Sequence, residues 1–418
     1  MIQKPRGTID ILPGETPLWR FIENTARRNA AKYGFEEIRF PTFEATELFS
    51  RGVGDTSDVV QKEMYTFTDR ENRSFTLRPE GTACVARSVI ENSLYGDTMP
   101  LKLYYLTSCF RYEKPQAGRS REFYQFGVEL FGAPAASADA TIIALANSII
   151  RDIGIEGASL HINSIGCPNC RPKYHAALKA YFTERADQLC ETCRGRLEKN
   201  PMRILDCKSP VCSEIAQGAP KAIDYLCEDC AAHFADLQSA LKGMQIPFEI
   251  DTRIVRGLDY YTRTVFEFIS NDIGAQGTIC GGGRYDGLIK EVGGPALPGV
   301  GFAMGMTRLV LLLQNHMPDL KKNCPVLYIA SMGSEAAIKA ASIAEALRSS
   351  GVYAESDLVG RSLKAQMKYA DKIGAAYTLI IGDSEMESGR AQLKHMTDST
   401  QGEADLNDLP ALKALMGL

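Results

Sequence analysis

KLYYLTSCFRYEKPQAGRSREFYQFGVELFG, residues 102–132, decides the fold. It reads as two strand-like runs joined by a loop that carries Lys114, Arg119 and Arg121. In the second run side chains alternate, so Tyr124, Phe126, Val128 and Leu130 share one face and Gln125, Gly127 and Glu129 the other. One face is core and the other presents an amide and a carboxylate, which predicts an antiparallel sheet with one polar face. Arg111 closes the first run, where a guanidinium could clamp a phosphate through two parallel hydrogen bonds. An ordinary hairpin with a solvated polar face fits the same spacing.

Working outward, TLRPEGTACVARSVIEN (76–92) places Glu80, Gly81 and Thr82 at the start of a helix that follows a strand. An acid there either offsets the helix dipole or partners a substrate ammonium. RIVRGLDYYTRTVFEFIS (253–270) crowds Arg253, Arg256, Asp259, Tyr260, Tyr261 and Arg263 into a turn before an apolar strand, as a site at a sheet rim or a solvated loop would. AQGTICGGGRYDGL (275–288) follows, and Gly281, Gly282 and Gly283 allow close approach by a ligand or another strand. LPGVGFAMGMTRLVLLL (297–313) reads as strand then helix, with Arg308 about one turn into an apolar helix. Such an arginine needs an anion or a carboxylate. Neither a P-loop nor a dinucleotide fingerprint is present: the glycines at 299, 301 and 305 are spaced one residue too far apart.

The 418 residues, 45% apolar and with a formal charge of −4, suit two or three globular domains, exclude disorder and argue against a wholesale nucleic-acid coat, though not against a local basic groove. No apolar run approaches a membrane span, and MIQKPRGTID lacks a secretory signal's apolar stretch, so a cytoplasmic chain without disulfides is expected. Eight of twelve cysteines fall between Cys167 and Cys230, which marks off a helical insertion over 167–246 with helices at Lys173–Thr183 and Ala222–Leu241. It interrupts a β-rich domain made of 1–166 and 247–314. A linker over 315–325 precedes a small α/β domain, 326–418, with strands VLYIA, VYAES and YTLII, helices Glu335–Ser350 and Ser362–Ile373, then a polar turn.

Together these segments resemble the class II aminoacyl-tRNA synthetases, and among them the histidyl-tRNA synthetase family, over nearly the whole chain. The loop with Arg111 is similar to class II motif 2, GVGFAMGMTR to motif 3 and YGFEEIRFPTFE around Pro41 to the interface-forming motif 1. RGLDYYTRTVFE and AQGTICGGGRYDGL resemble the two segments peculiar to the histidine enzymes. The resemblance implies an α+β catalytic domain of the class II fold, a cysteine-rich insertion and a C-terminal α/β anticodon-binding domain. It implies that L-histidine is activated with ATP and Mg²⁺ to histidyl-adenylate and transferred to the 3′ end of tRNA(His) by a homodimer.

Carried over by motif position, Glu80, Thr82 and Gln125 would hold the α-ammonium of histidine, and Glu129 and Tyr261 its imidazole, with Tyr260 lining the pocket and Gly81 among the histidine-binding residues. Arg111 and Arg308 would grip the triphosphate, Phe123 would stack on adenine, and Arg256 would bridge the α-phosphate and the histidine carboxylate. Gln116 and Arg121 are candidates for the tRNA acceptor end. Arg361 and Lys364, with Lys368 and Lys372, are candidates for the anticodon side, where a solvated helix face fits as well. The same resemblance reaches regulatory subunits of ATP phosphoribosyltransferase, which need neither the arginine clamps nor the last domain.

The pairs Cys167/Cys170, Cys190/Cys193 and Cys227/Cys230, with the looser Cys207/Cys212, supply thiolates for one or two structural Zn²⁺ sites. Reduced core cysteines are the alternative. A metal-bound insertion between motif 2 and the RGLDYY segment would stiffen an arm against the acceptor stem.

Overall fold

The 102–132 segment folds as read: Leu101–Phe110 and Glu122–Phe131 pair antiparallel, from Leu101 opposite Phe131 to Phe110 opposite Glu122. The computed structural model describes every residue except 55–56, 116–117, 208, 271, 273–276, 315–319 and 321–322. It divides into two units, Met1–Leu320 and Lys321–Leu418. The expected linker over 315–325 lies largely outside the described residues.

Strands of the first unit are β1 (Glu36–Glu37), β2 (Phe43–Ala45), β3 (Tyr65–Thr68), β4 (Ser74–Leu77), β5 (Leu101–Phe110) and β6 (Glu122–Phe131). They continue with β7 (Ser159–Ser164), β8 (Glu249–Ile250), β9 (Thr262–Ile269), β10 (Thr278–Arg284) and β11 (Gly299–Gly305). The large sheet has the order β1-β5-β6-β11-β10-β9-β7-β8, and β2-β4-β3 form a small second sheet. Within the large sheet, β1 runs parallel to β5 and β8 parallel to β7 at the two rims, while the inner pairs are antiparallel. The alternation of polarity did not reveal those rim pairs, which are reached by long connections rather than hairpins.

The helices are α1 (Thr16–Lys32), α2 (Thr46–Val53), α3 (Thr82–Glu91) and α4 (Ala136–Asp152). In the cysteine-rich stretch they are α5 (Arg171–Thr183), α6 (Glu191–Lys199), α7 (Pro210–Gln217) and α8 (Glu228–Gly243), followed by α9 (Leu288–Glu291) and α10 (Met306–Leu313). The helix expected over Ala222–Leu241 is interrupted, since Leu226 and Cys227 are extended between a 3₁₀ turn at Ala222–Tyr225 and α8.

Helical periodicity puts Leu18, Trp19, Ile22, Ala26 and Ala30 on one stripe of α1, and that stripe joins Phe126, Val128 and Leu130 in a core shared with α4, α8 and α10. The opposite face of the sheet is not solvated. Glu129 is only 1% exposed, because a second core that includes Val85, Tyr105, Tyr260, Tyr261 and Tyr285 covers that face. Tyr174, Leu178 and Phe182 of α5 belong to the same core, so the insertion packs on the catalytic sheet. Arg284, unread from the sequence, is fully buried and is neutralised by the equally buried Asp139, as burial of a guanidinium requires.

The second unit contains β12 (Leu327–Ser331), α11 (Ser334–Ser349), β13 (Ala354–Ser356), α12 (Leu363–Lys372) and β14 (Tyr377–Ile381). The sequence shows these five as a βαβ alternation. Where a polar turn is expected, the chain instead forms α13 (Asp383–Ser388), a hairpin of β15 (Arg390–His395) and β16 (Gln401–Asp405), and α14 (Leu409–Leu415). The sheet order is β13-β12-β14-β15-β16, parallel across the first three strands and antiparallel across the hairpin. The hairpin buries little beyond Ala391, Leu393 and Ala404, too few apolar side chains to show as alternation. Among the described residues no helix is long and apolar enough to cross a membrane.

Candidate active site

Strand register lays the floor of the site. Glu129 of β6 stands opposite Gly301 of β11, and Gly301 opposite Gly283 of β10. Two residues along, Gly127, Ala303, Gly281 and Glu267 form the next row, and Gln125 stands opposite Gly305 in the third. Period two puts all of these on one face. The result is a glycine floor from which Glu129, Gln125 and Glu267 rise. The close approach expected at the glycine triplet is made both by neighbouring strands and by side chains: a Cβ on Gly282 or Gly283 would run into the Gly301 or Thr264 carbonyl, one on Gly281 would lie 2.5 Å from the Arg256 guanidinium, and the Tyr261 ring is 3.0 Å from the Gly283 position.

The α3 N-terminus forms one wall. Glu80 accepts from the backbone N–H groups of Thr82, at 2.8 Å, and Ala83, at 2.7 Å. It therefore caps the helix, the plainer of its two readings, while the Tyr260 hydroxyl approaches the same carboxylate at 3.5 Å. Burial pushes its carboxyl up, and the two N–H donors oppose that shift. Thr82 Oγ1 donates to Glu129 at 2.7 Å, and the Tyr285 hydroxyl donates to the other Glu129 oxygen. Burial drives the Glu129 carboxyl up to about 8, against these two hydrogen bonds and with help from the nearby charge of Glu80.

Tyr260, Tyr261 and Tyr285 enclose this carboxylate as an aromatic triad, with ring centroids 4.6, 5.5 and 6.3 Å apart. Tyr285, and Tyr105 beneath it, are missed by the sequence reading. Parity could have found Tyr285, two residues beyond Gly283 on the same face.

The arginines line the other side. Arg256 pairs with Glu267 and lies over the Tyr261 ring, 5.7 Å from its centroid. Burial opposes its charge, but Glu267 and the two tyrosines more than offset this and hold the guanidinium cationic. Glu267, also missed, accepts from Thr278 Oγ1 at 2.8 Å, and the Thr278 carbonyl accepts from Arg308. Arg308 also donates to the Gly118 carbonyl at 3.3 Å. Burial, then the neighbouring charge of Arg119, hold the Arg308 guanidinium below its usual range, which makes an arriving anion the favourable partner. Arg111 donates to the Pro79 carbonyl at 2.8 Å and lies over Phe123, 5.3 Å from the ring centroid. Gln125 accepts from the Cys109 thiol at 3.3 Å. Glu80, Arg111, Glu129, Arg256 and Arg308 are thus joined into one set through one or two intermediaries, as where Glu267 and Thr278 link Arg256 to Arg308.

The RNA candidates are placed less tellingly. Gln116 lies outside the described residues. Arg121 stacks over Tyr112, 4.0 Å from the ring centroid. Arg361 sits before α12 rather than on it, tied to Asp357 at 2.6 Å and stacked on Tyr369, while Lys364 is exposed on α12.

In the insertion the eight cysteines sort into two quartets, Cys167/Cys170/Cys227/Cys230 and Cys190/Cys193/Cys207/Cys212, with the sulfurs of each within 4.8 Å of one another. All are free thiols. Sulfur separations of 3.7, 3.9 and 3.8 Å match the edge of about 3.8 Å that a Zn–S distance of about 2.3 Å gives a tetrahedron. Backbone N–H groups of Cys227 and Cys190 point at Cys170 and Cys212 sulfurs at 3.1 and 3.3 Å. Burial raises the Cys167 thiol, but backbone N–H groups and neighbouring thiols overcome this and bring it down to about 7. The donor set fits a thiophilic divalent ion.

Comparison with known proteins agrees with this geometry. The family model for histidyl-tRNA synthetase matches residues 7–309, and that for an anticodon binding domain matches residues 326–412. The chain is 53% identical over 409 residues to a histidine--tRNA ligase of Clostridium perfringens, with 97% of each chain covered. The apo histidyl-tRNA synthetase of S. aureus superposes with a TM-score of 0.82 at 39% identity, covering 100% of this chain and 99% of that one. A Bacillus halodurans structure described as an ATP phosphoribosyltransferase regulatory subunit/histidyl-tRNA synthetase shares the fold, with a TM-score of 0.66 at 24% identity over 91% of this chain and 98% of its own. A model that spans most of the first unit and a relative more than half identical along nearly its whole length show that the chain belongs to the histidyl-tRNA synthetase family.

Proposed function

We infer that the glycine-floored site seats histidine against ATP, with each role falling to the residue its motif position suggests. The chain is an aminoacyl-tRNA ligase that joins histidine to tRNA, and its second unit is an anticodon-binding domain. Glu80, Thr82 and Gln125 face the α-ammonium, and Glu129 with Tyr261 faces the imidazole. Arg256 lies between the histidine carboxylate and the α-phosphate, Arg111 and Arg308 hold the remaining phosphates, and Phe123 stacks on adenine.

The histidine carboxylate attacks the α-phosphate in line and pyrophosphate leaves. The 3′-terminal ribose hydroxyl of tRNA(His) then attacks the adenylate carbonyl and AMP leaves. Negative charge grows on phosphoryl oxygens in the first step, so fixed guanidiniums favour the transition state over the ground state. Mg²⁺, which class II synthetases use with ATP, supplies further neutralisation between phosphates. Among the described residues the groups of three or more ligand side chains close enough for one ion are the thiol quartets, so a hard ion would arrive on the nucleotide's oxygens.

One observation carries the reading: a carboxylate driven up to about 8 and enclosed by three tyrosines stands across the same floor from Arg256. A site built around such polar demands rejects amino acids without matching nitrogens by roughly 10⁴- to 10⁵-fold. Histidine-dependent exchange of labelled pyrophosphate into ATP tests it. Tyr285→Phe removes one donor to Glu129 and should raise the histidine KM about tenfold, the order expected when one buried acceptor loses its hydrogen bond, with the ATP KM unchanged. Exchange without histidine, or an unaltered KM in the variant, would overturn these roles.

The quartets are two structural Zn²⁺ sites, supported by the tetrahedral sulfur spacing and the N–H donors at the sulfurs. Elemental analysis of purified protein should give close to two zinc per chain. Less than about one tenth, with activity intact, would end this reading. A cytoplasmic homodimer completes the proposal. The exposed Phe43 and Phe67, 5.8 Å apart on the small sheet beside Pro41, support an interface there.

A further inference from the structure

The inner quartet closes a segment whose side chains reach the substrate loop. Cys190 and Cys193 open α6, Cys207 and Cys212 follow the turn at Pro201–Ile204, and residues 194–206 lie between the two pairs. Three side chains of that segment cross to the catalytic domain. Arg203 donates to the Arg256 carbonyl at 3.1 Å and to Asp58 at 3.0 Å. Asn200 donates to the Asp259 carboxylate at 3.1 Å, and Arg196 joins Asp58 at 2.5 Å and the Arg203 carbonyl at 3.1 Å. Arg171, next to Cys170 of the outer quartet, donates to the Tyr261 carbonyl. The loop carrying Arg256, Tyr260 and Tyr261 is therefore held along one side by the insertion, at main-chain atoms or at Asp259, whatever occupies the site.

We propose that metal bound at Cys190, Cys193, Cys207 and Cys212 makes 194–206 a rigid strut that positions the 256–261 loop, with Arg203 and Asn200 as positioning residues for histidine binding. The inference rests on the reading that this loop forms the amino-acid pocket. Its physical basis is that a short segment tied at both ends by four metal–sulfur bonds has few conformations left, so its donors meet their acceptors with little ordering still to be done. Arg203 is largely buried, so truncation leaves the Arg256 carbonyl and Asp58 each short of a partner.

The test uses the full-length enzyme with zinc content, exchange kinetics and thermal melting measured together. Arg203→Ala should keep both zinc ions and raise the histidine KM about tenfold, with the ATP KM within twofold, and Arg203→Lys should recover part of the loss. Cys190→Ser/Cys193→Ser should lose one zinc of two and raise the histidine KM to a similar degree. Combined with Arg203→Ala, it should add little, as coupled positions do. Should the cysteine variant fail to fold, cobalt exchanged into native enzyme gives a second readout: thiolate-to-cobalt absorption for both quartets is expected, and its absence at the inner one overturns the proposal. A zinc-depleted inner quartet with an unchanged histidine KM, or an Arg203→Ala that moves both KM values alike, overturns it as well. If Arg256→Ala is impaired while Arg203→Ala is normal, only this inference falls; if Arg256→Ala is normal, the pocket reading falls first.

Discussion

Arg256→Ala is expected to lower histidine-dependent pyrophosphate exchange at least about 10²-fold, a barrier increase of about 2.7 kcal/mol, while the fold persists. The arginine is held from four directions: Glu267 pairs with it, the Tyr261 ring lies beneath it, Gly281 leaves room for the guanidinium, and Arg203 holds its carbonyl. Such a charge is already oriented when the reaction starts, so its stabilisation needs little reorganisation. Glu267 keeps its hydrogen bond from Thr278 in the variant, which limits the stability loss. Arg256→Lys should recover little, since an ammonium cannot span two oxygens in a plane. Exchange within threefold of the parent enzyme would remove Arg256 from the chemistry.

The second large effect separates function from stability at Glu129. Its carboxyl rises from 4.5 to about 8 on folding, chiefly through burial. A group raised in this way contributes stability below pH 4.5, and that contribution is lost as pH climbs toward 8. Glu129→Gln keeps the shape and removes the titration. The variant should therefore melt at a higher temperature than the parent, by a margin that is absent at pH 4 and grows to the equivalent of a few kcal/mol by pH 8 to 9. Histidine use should fall by about 10² or more in kcat/KM, because an amide can neither give up a proton nor carry a charge to pair with the imidazole, as the carboxyl can. Parallel melting curves at every pH would show that Glu129 does not titrate as the geometry requires.

Much of this was readable before any coordinates. Period two assigned Gln125, Gly127 and Glu129 to one face, and a strand-to-helix switch put Arg308 where it stands. What the periodicity could not tell was whether that face met water. Its cover comes from Tyr260, Tyr261 and Tyr285, more than 120 residues further along the chain, and no local pattern encodes such an approach. Cysteine spacing revealed pairs but not their combination, because nesting 190–212 inside 170–227 depends on how α5 to α8 fold back. Arg203 and Asn200 drew no reading from the sequence, since their acceptors, Asp58, Asp259 and the Arg256 carbonyl, lie on distant segments of the chain. The hairpin at 390–405 escaped notice because its strands bury so little.

The nested thiols also bear on how the chain finds its sheet. β7 and β9 are neighbours although Ser164 and Thr264, paired across them, are about 100 residues apart. Once the outer quartet gathers Cys167 and Cys230, the free path between those strands shrinks to about 40 residues, lowering the entropy of closure by about 0.9 kcal/mol. Metal captured there would act as an early tether: protein refolded in the presence of a chelator should complete its central sheet several-fold more slowly, even before any substrate is offered.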